Sequence, residues 1–126
     1  NCKFFNYVSR ENIGLALNAA DIGLVSLVQG QEGLSVPSKT FGLMAARLPL
    51  LAIMDNKCEV ARIIQEENCG TIIEPGNANL LAKNIILLAK SPNIYNNFSK
   101  NSLNAIKTKY NLKSAAKQYL ELITSI

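Results

Sequence analysis

The residues best suited to chemistry lie between Glu32 and Gly42, where a glycine-containing loop runs through Pro37-Ser38-Lys39-Thr40 into a helical pattern. The N–H groups of a helix's first turn attract phosphate through hydrogen bonding and the helix dipole. Ser38 adds a hydroxyl and Lys39 adds a mobile positive charge, so this segment predicts a seat for a diphosphate. An ordinary helix start has the same residues, because serine is a common first residue of helices. The segment alone leaves both interpretations open.

The composition excludes several other kinds of site. The sequence contains no histidine, so a serine–histidine–aspartate triad, a cysteine–histidine dyad and a histidine metal ligand are ruled out. Cys2, Cys58 and Cys69 are too scattered for a zinc site, and they form no C-x-x-C pair. We therefore expect no metal site and three reduced, mostly buried thiols in a cytoplasmic protein.

Positive charge is concentrated in the last third of the chain. The whole sequence has 13 Lys and Arg against 9 Asp and Glu, and residues 81–126 carry seven lysines and only Glu121. A basic helical face of this kind fits an anionic membrane surface, although such a face is more often simply solvated. Aromatic and basic residues do not interleave as they do in nucleic-acid-binding modules, so we expect no nucleic-acid partner.

Hydrophobic periodicity predicts strands and helices in alternation. The predicted strands cover residues 3–7, 22–27, 48–53 and 71–73, and the predicted helices cover residues 9–18, 38–46, 58–67 and 77–90, a segment beginning at Ser91-Pro92, and a last one from Leu112. This order implies a parallel α/β sheet of the Rossmann-like kind, with helices on both faces and a helical C-terminal tail. Ligands of such sheets bind beyond the carboxyl ends of the strands. Residues 7–9 and the loop 28–37 fall at such ends.

The length and hydropathy fit a single domain in the cytoplasm. The chain has 126 residues, which is the size of one domain. No apolar run approaches the roughly 20 residues of a membrane-spanning helix. No charged-then-apolar leader begins the chain, so no secretory signal is expected.

Three collinear segments resemble the donor-binding, carboxy-terminal lobe of GT-B glycosyltransferases, closest to the family-four-like enzymes of bacterial surface polysaccharide synthesis. They are AADIGLV at 19–25, VPSK at 36–39 followed by MAARLPLLA at 44–52, and NCGTIIEPGN at 68–77. The resemblance covers nearly the whole chain. It implies that residues 1–126 form a single, partial donor-binding domain, the last two-thirds of such a lobe.

The resemblance also implies a function and a site. The expected donor is a nucleotide-diphosphate sugar, used as a substrate without any cofactor, and the expected acceptor is a glycan or a lipid-linked glycan. The parent enzyme would work in the cytoplasm, and this chain alone would be inactive. The lysine excess of residues 81–126, rather than the resemblance, suggests contact with the inner face of an anionic membrane. The implied binding residues are Tyr7 and Val8 for the nucleobase, Ser38, Lys39 and Thr40 for the diphosphate, and Glu32 and Gly33 for the sugar.

Two features depart from the family pattern. Many members carry two glutamates eight positions apart, the later of which binds ribose. The corresponding position is Thr40 when counted from Glu32, or Gly42 when counted back from the Ala-Ala-x-x-Pro frame. Arg47 stands where the family usually has glycine. These departures keep a second interpretation open, a non-catalytic nucleotide-sugar-binding or interaction module. Outside the resemblance, Tyr7 also fits a half-buried strand aromatic and Glu32 a solvated loop acid.

Overall fold

A three-stranded parallel sheet organises the chain in a computed structural model that describes residues 2–125. The strands are β1 (Gly23–Ser26), β2 (Leu50–Ile53) and β3 (Gly70–Ile73), in the order β1-β2-β3. The helices are α1 (Ile13–Asn18), α2 (Lys39–Ala45), α3 (Glu59–Glu67), α4 (Ala78–Lys90), α5 (Pro92–Thr108) and α6 (Leu112–Thr124).

Helices cover both faces of this sheet. Leu50 and Ala52 of the central strand point to the face packed by α2, α3 and α5. Leu51 points to the opposite face, where it packs with Leu88 of α4 and the first half of α5. Burial on both faces explains why β2 is apolar at every position. The α/β, Rossmann-like prediction with a helical C-terminal tail is confirmed.

Local sequence signals fix several element ends. Asn68 ends α3 in the left-handed conformation with φ of 47°, which asparagine tolerates better than most residues. The Asn77 side chain accepts a hydrogen bond from the Leu80 N–H at 2.9 Å and so caps α4. Gly76 has φ of 86°, as the Pro75-Gly76 turn requires.

The predicted strand at residues 3–7 is wrong. Residues 2–9 have no regular secondary structure, and Phe4, Phe5 and Tyr7 are 97%, 84% and 91% exposed. A strand forms only where a neighbour pairs with its backbone N–H and C=O groups. Every strand of the described residues belongs to the three-stranded sheet, which this segment does not join.

Two other predicted helix starts need correction. The first helix begins at Ile13 rather than at Ser9, because the Asn12 N–H bonds to the Ser9 carbonyl in a turn. Its expected apolar face packs poorly, with Leu17 alone partly buried. Asp55 and Asn56, whose residue types suit a helix cap and predict one for the helix at 58–67, are not the residue before α3, which is Cys58.

Strand β1 is buried on one face only, although the sequence predicts burial on both. Leu24 lies in register with Leu51 and therefore points to the face that α4 covers. Because β1 is at the edge of the sheet and α4 lies over β2 and β3, Leu24 remains 49% exposed.

Candidate functional site

The start of α2 lies at the carboxyl edge of the sheet, after the loop that follows β1. Ser38 and Lys39 are exposed there, and the Ser38 side chain makes no cap hydrogen bond. The Thr40 and Phe41 N–H groups bond to the carbonyls of Pro37 and Ser38 at 3.0 and 3.3 Å. Within residues 2–125 the N–H groups of Ser38 and Lys39 have no such acceptor, so these two remain for an anion.

Thr40 is buried, unlike Ser38 and Lys39, the other two predicted diphosphate residues. It is 0% exposed, and its hydroxyl is buried without a hydrogen-bond partner among the described residues. A ligand at the surface of α2 therefore meets Ser38 and Lys39, while the Thr40 side chain is enclosed and its N–H is already bonded to Pro37. Burying an unpaired hydroxyl costs about 1–3 kcal/mol.

Glu32 and Gly33 lie in the turn of the same loop. Glu32 is half-buried, and its Oε1 accepts the Gly30 N–H at 3.0 Å. Gly33 has φ of 75°, a conformation that glycine adopts without strain. The carboxylates of Glu32 and Asp55 add to the effect of burial in raising the pKa of the Cys58 thiol. Glu32 is thus close to the residues that follow the carboxyl end of β2.

The two predicted nucleobase residues lie in the segment that precedes α1. Tyr7 is almost fully exposed and Val8 is half-buried, and both belong to the segment without regular structure. Neither joins the apolar clusters that pack against the sheet. The loop candidates and the start of α2 are joined by the chain segment that follows β1, whereas Tyr7 and Val8 precede α1.

A cavity of about 500 Å³ lies at the carboxyl ends of β2 and β3. Its lining combines two carboxylates, three amides and an apolar floor, contributed by Gln29, Met54, Asp55, Asn56, Gln65, Ile72, Glu74, Pro75 and Leu80. Carboxylates and amides pair with hydroxyl groups, and the lining contains no lysine or arginine to balance a phosphate.

Sequence reasoning missed this cavity, because none of its lining residues was among the predicted site residues. The sequence did contain a signal that could have indicated this cavity. Asp55 and Glu74 each follow a buried strand directly or after one residue, and such positions share one edge of a parallel sheet.

Residues 2–125 contain no group of three or more acidic, cysteine or histidine side chains placed to hold a metal ion. Over the same residues, none of the helices is long and apolar enough to cross a membrane.

A parallel α/β domain with an open loop and an exposed helix start at its carboxyl edge is the framework of a ligand-binding protein. Residues 1–105 match the model of the family described as glycosyl transferases group 1. The chain therefore belongs to that family, and the glycosyltransferase family predicted from the sequence is confirmed.

One similar protein is a probable glycosyltransferase, WbjE, of Pseudomonas aeruginosa. It is 42% identical over 76 residues, which are 60% of this chain and 18% of that relative. The matched part of the chain thus spans less than a fifth of the relative's length. No solved structure matches the chain.

Proposed function

We propose that this chain is the donor-binding part of a glycosyltransferase that uses a nucleotide-diphosphate sugar and transfers the sugar to a glycan or lipid-linked acceptor. Membership of the family and the name of the relative support glycosyl transfer. The observation that carries the donor assignment is the exposed start of α2, with Ser38 and Lys39 at the carboxyl edge of the sheet.

Lys39 is the group proposed to stabilise the departing diphosphate. It takes part in none of the ion pairs found within residues 2–125, so its charge is not neutralised by a neighbouring carboxylate. Negative charge on the diphosphate grows as the bond to the sugar breaks. A cation and two N–H groups at that position favour the transition state over the bound donor.

The sugar is proposed to lie against the loop that contains Glu32 and Gly33. Because Oε1 of Glu32 is held by the Gly30 N–H, the second oxygen, Oε2, is the one that would accept a sugar hydroxyl. The absent side chain of Gly33 lets the sugar approach the backbone closely. The held carboxylate is pre-oriented, which reduces the entropy lost on binding.

The nucleoside has a weaker set of proposed partners. Tyr7 offers an exposed ring for stacking on the base, and Val8 offers its backbone. For the ribose, the enclosed hydroxyl of Thr40 is out of reach. Gly42 brings no side chain, and a Cβ placed there would meet only Leu17 Cδ1, at 3.6 Å.

The remaining expectations belong to the same proposal. Residues 1–126 are taken as one partial donor-binding domain, inactive alone, of an enzyme that works in the cytoplasm without a resident cofactor. The chain's own contribution would be to bind and orient the donor, and the acceptor would be held by residues elsewhere in the enzyme.

Calorimetric titration of UDP, GDP and a sugar derivative of each into the chain tests the donor site. Replacing Lys39 by alanine is expected to weaken binding of the preferred nucleotide about ten- to hundredfold, because a charge-assisted hydrogen bond contributes about 1.5–3 kcal/mol. Lys83→Ala is the matched control, since Lys83 is an exposed lysine on α4. An equal loss in both variants, or no binding of any nucleotide to the folded chain, contradicts the proposal.

A non-catalytic nucleotide-sugar-binding module is the second candidate. It is favoured by the positions at which the family's ribose-binding acid is expected, which hold an enclosed threonine and a glycine. Slow hydrolysis of the sugar nucleotide by the chain, abolished by Lys39→Ala, would favour the enzyme. Binding that depends on Lys39, with no turnover by the longer protein on any glycan acceptor, would favour the module.

A further inference from the structure

Gly30 fixes one oxygen of the Glu32 carboxylate in the loop that follows β1. The Gly30 N–H donates a hydrogen bond to Oε1 of Glu32 at 3.0 Å. Hydrogen bonds to an ionised carboxylate are shorter and stronger than those between neutral groups. Glu32 is also half-buried. This bond therefore restricts the rotamers of Glu32 and sets the direction of its other oxygen, Oε2.

A tight turn gives the Gly30 N–H its direction. The Gln31 N–H bonds to the Val28 carbonyl at 3.2 Å, which closes a four-residue turn with Gly30 in the third position. Gly30 has φ of 85°, whereas Gln29, in the second position, is not among the residues with positive φ. A positive φ at the third position alone defines a type II turn, which favours glycine there.

The type of this turn decides which side of the loop the Gly30 N–H faces. Type I and type II turns differ by a flip of the peptide between the second and third residues, and that peptide carries the Gly30 N–H. A flip to type I would turn the N–H away from the Glu32 carboxylate. A Cβ at Gly30 would meet no atom within 4 Å. The glycine is therefore required by the backbone conformation and not by a lack of space.

We propose that Gly30 is a positioning residue of the donor site, whose N–H orients Glu32 so that Oε2 accepts a hydroxyl group of the donor's sugar. Gly30 would act through Glu32 and not by contact with the donor. This inference rests on the proposed function, in which the sugar lies against Glu32 and Gly33. A carboxylate that is ordered before the sugar arrives loses less entropy on binding.

NMR spectroscopy of the ligand-free chain tests the hydrogen bond. In Glu32→Ala the amide proton of Gly30 is expected to move upfield, because it loses a charged acceptor. The amide proton of Gly76, another glycine with φ of 86°, is the internal control and should not move. An unmoved Gly30 signal, or equal movement of the two signals, overturns the proposal independently of any nucleotide binding.

Calorimetric titration separates positioning from a loss of stability, with UDP or GDP compared with a sugar derivative of the same nucleotide. Gly30→Ala is expected to weaken binding of the sugar nucleotide about fivefold, because the Glu32 side chain must then be ordered on binding. Binding of the nucleoside diphosphate should change less than about twofold, since Glu32 contributes only to the sugar. Gly30→Asn should keep most of the affinity, because asparagine tolerates positive φ.

Gly76→Ala is the matched control for backbone strain. Gly76 lies in the turn after β3, has φ of 86°, and a Cβ there would also meet no atom within 4 Å. This variant should therefore lose as much stability in urea as Gly30→Ala while it keeps the original affinity for the sugar nucleotide. The same loss of sugar-nucleotide affinity in both variants overturns the positioning role.

A double-variant cycle tests whether Gly30 acts through Glu32. In the Glu32→Ala background, Gly30→Ala should cause no further loss of sugar-nucleotide affinity. A fivefold loss in that background as well overturns the positioning role. If the original protein binds no nucleotide, the proposed function fails and this role fails with it. If nucleotide binding depends on Lys39 but Gly30→Ala leaves the sugar nucleotide unaffected, this inference alone fails.

Discussion

The hydroxyl of Ser102 donates a hydrogen bond to the carbonyl oxygen of Leu48 at 2.8 Å, in the buried interior. This bond joins the middle of α5 to the residues that lead from α2 into the central strand β2. Ser102 and Leu48 are 0% and 2% exposed, so water cannot replace the bond. It helps to hold α5 against α2, the helix whose start is the candidate diphosphate site.

Replacing Ser102 by alanine is therefore expected to lower the free energy of unfolding by about 1–2 kcal/mol, because the Leu48 carbonyl loses its buried donor. Urea denaturation followed by circular dichroism measures this. Ser99→Ala is the control, since Ser99 is also buried on α5 and has no side-chain hydrogen bond recorded within residues 2–125. Equal losses in the two variants would contradict the role assigned to the bond.

Arg47 is expected to be a source of strain that a single substitution removes. It is exposed and has φ of 62°, in the left-handed region, which costs a non-glycine residue roughly 1–2 kcal/mol. The glycine usual in the family at this position adopts it freely. Arg47→Gly should raise the free energy of unfolding by about 0.5–1 kcal/mol, after the larger backbone entropy of glycine in the unfolded chain is subtracted.

Arg47→Ala separates backbone strain from the loss of the arginine side chain. Alanine keeps the same unfavourable φ, so its stability in urea should stay within about 0.5 kcal/mol of the original. Stabilisation by alanine as large as that by glycine would show that the side chain, rather than the backbone, is the source.

The sequence predicts the centre of this fold far better than its margins. Residues of β2 and α3 pack as their apolar pattern indicates, and Asn68 and Asn77 mark helix ends through local hydrogen bonds. The aromatic segment before α1 has a strand-like pattern as well. Its conformation depends on a pairing partner rather than on its own residues, and local pattern carries no information on that partner.

The candidate site also combines features that local sequence predicts with features that depend on tertiary packing. The helix start at Ser38 and the positive φ of Gly33 follow from local sequence. The enclosure of the Thr40 side chain depends on tertiary packing around α2, and the cavity near Asp55 and Glu74 depends on which strand ends lie side by side. For α6, periodicity predicts the helix and its apolar face but not whether that face is covered.

Gly70 is expected to be intolerant of any side chain. A Cβ at this position would lie 2.1 Å from the carbonyl oxygen of Leu50, its partner in the β2–β3 register. Backbone atoms cannot move away without breaking the sheet, so Gly70→Ala should lower the free energy of unfolding by about 3 kcal/mol or more. Gly14→Ala in α1 is the matched control, because a Cβ there meets no atom within 4 Å.

The two glycine variants should move stability in opposite directions. Alanine at Gly14 should be neutral or stabilising by up to about 1 kcal/mol, through its higher helix propensity. Thermal and urea denaturation would measure both proteins. A Gly70→Ala protein as stable as the original would mean that β2 and β3 do not approach as closely as described.

Cys69 is expected to make the fold sensitive to alkaline pH. Burial raises the pKa of its thiol to about 11 from an ordinary 9.0, although a hydrogen bond with Ser102 opposes the shift. The folded state thus prefers the neutral thiol, whereas the unfolded chain ionises at lower pH. The resulting stabilisation is fully present below pH 9 and is lost as the pH rises through 11, a change of about 2–3 kcal/mol.

Unfolding free energies measured by urea between pH 8 and 11 should therefore fall more steeply for the original protein than for Cys69→Ala. The comparison removes the contributions of Cys58, Lys109 and Tyr110, whose pKa values are also raised and which remain in both proteins. Cys2→Ala, a change at an exposed thiol, should keep the original slope. Parallel pH profiles for the original and Cys69→Ala would show that ionisation of this thiol is not coupled to unfolding.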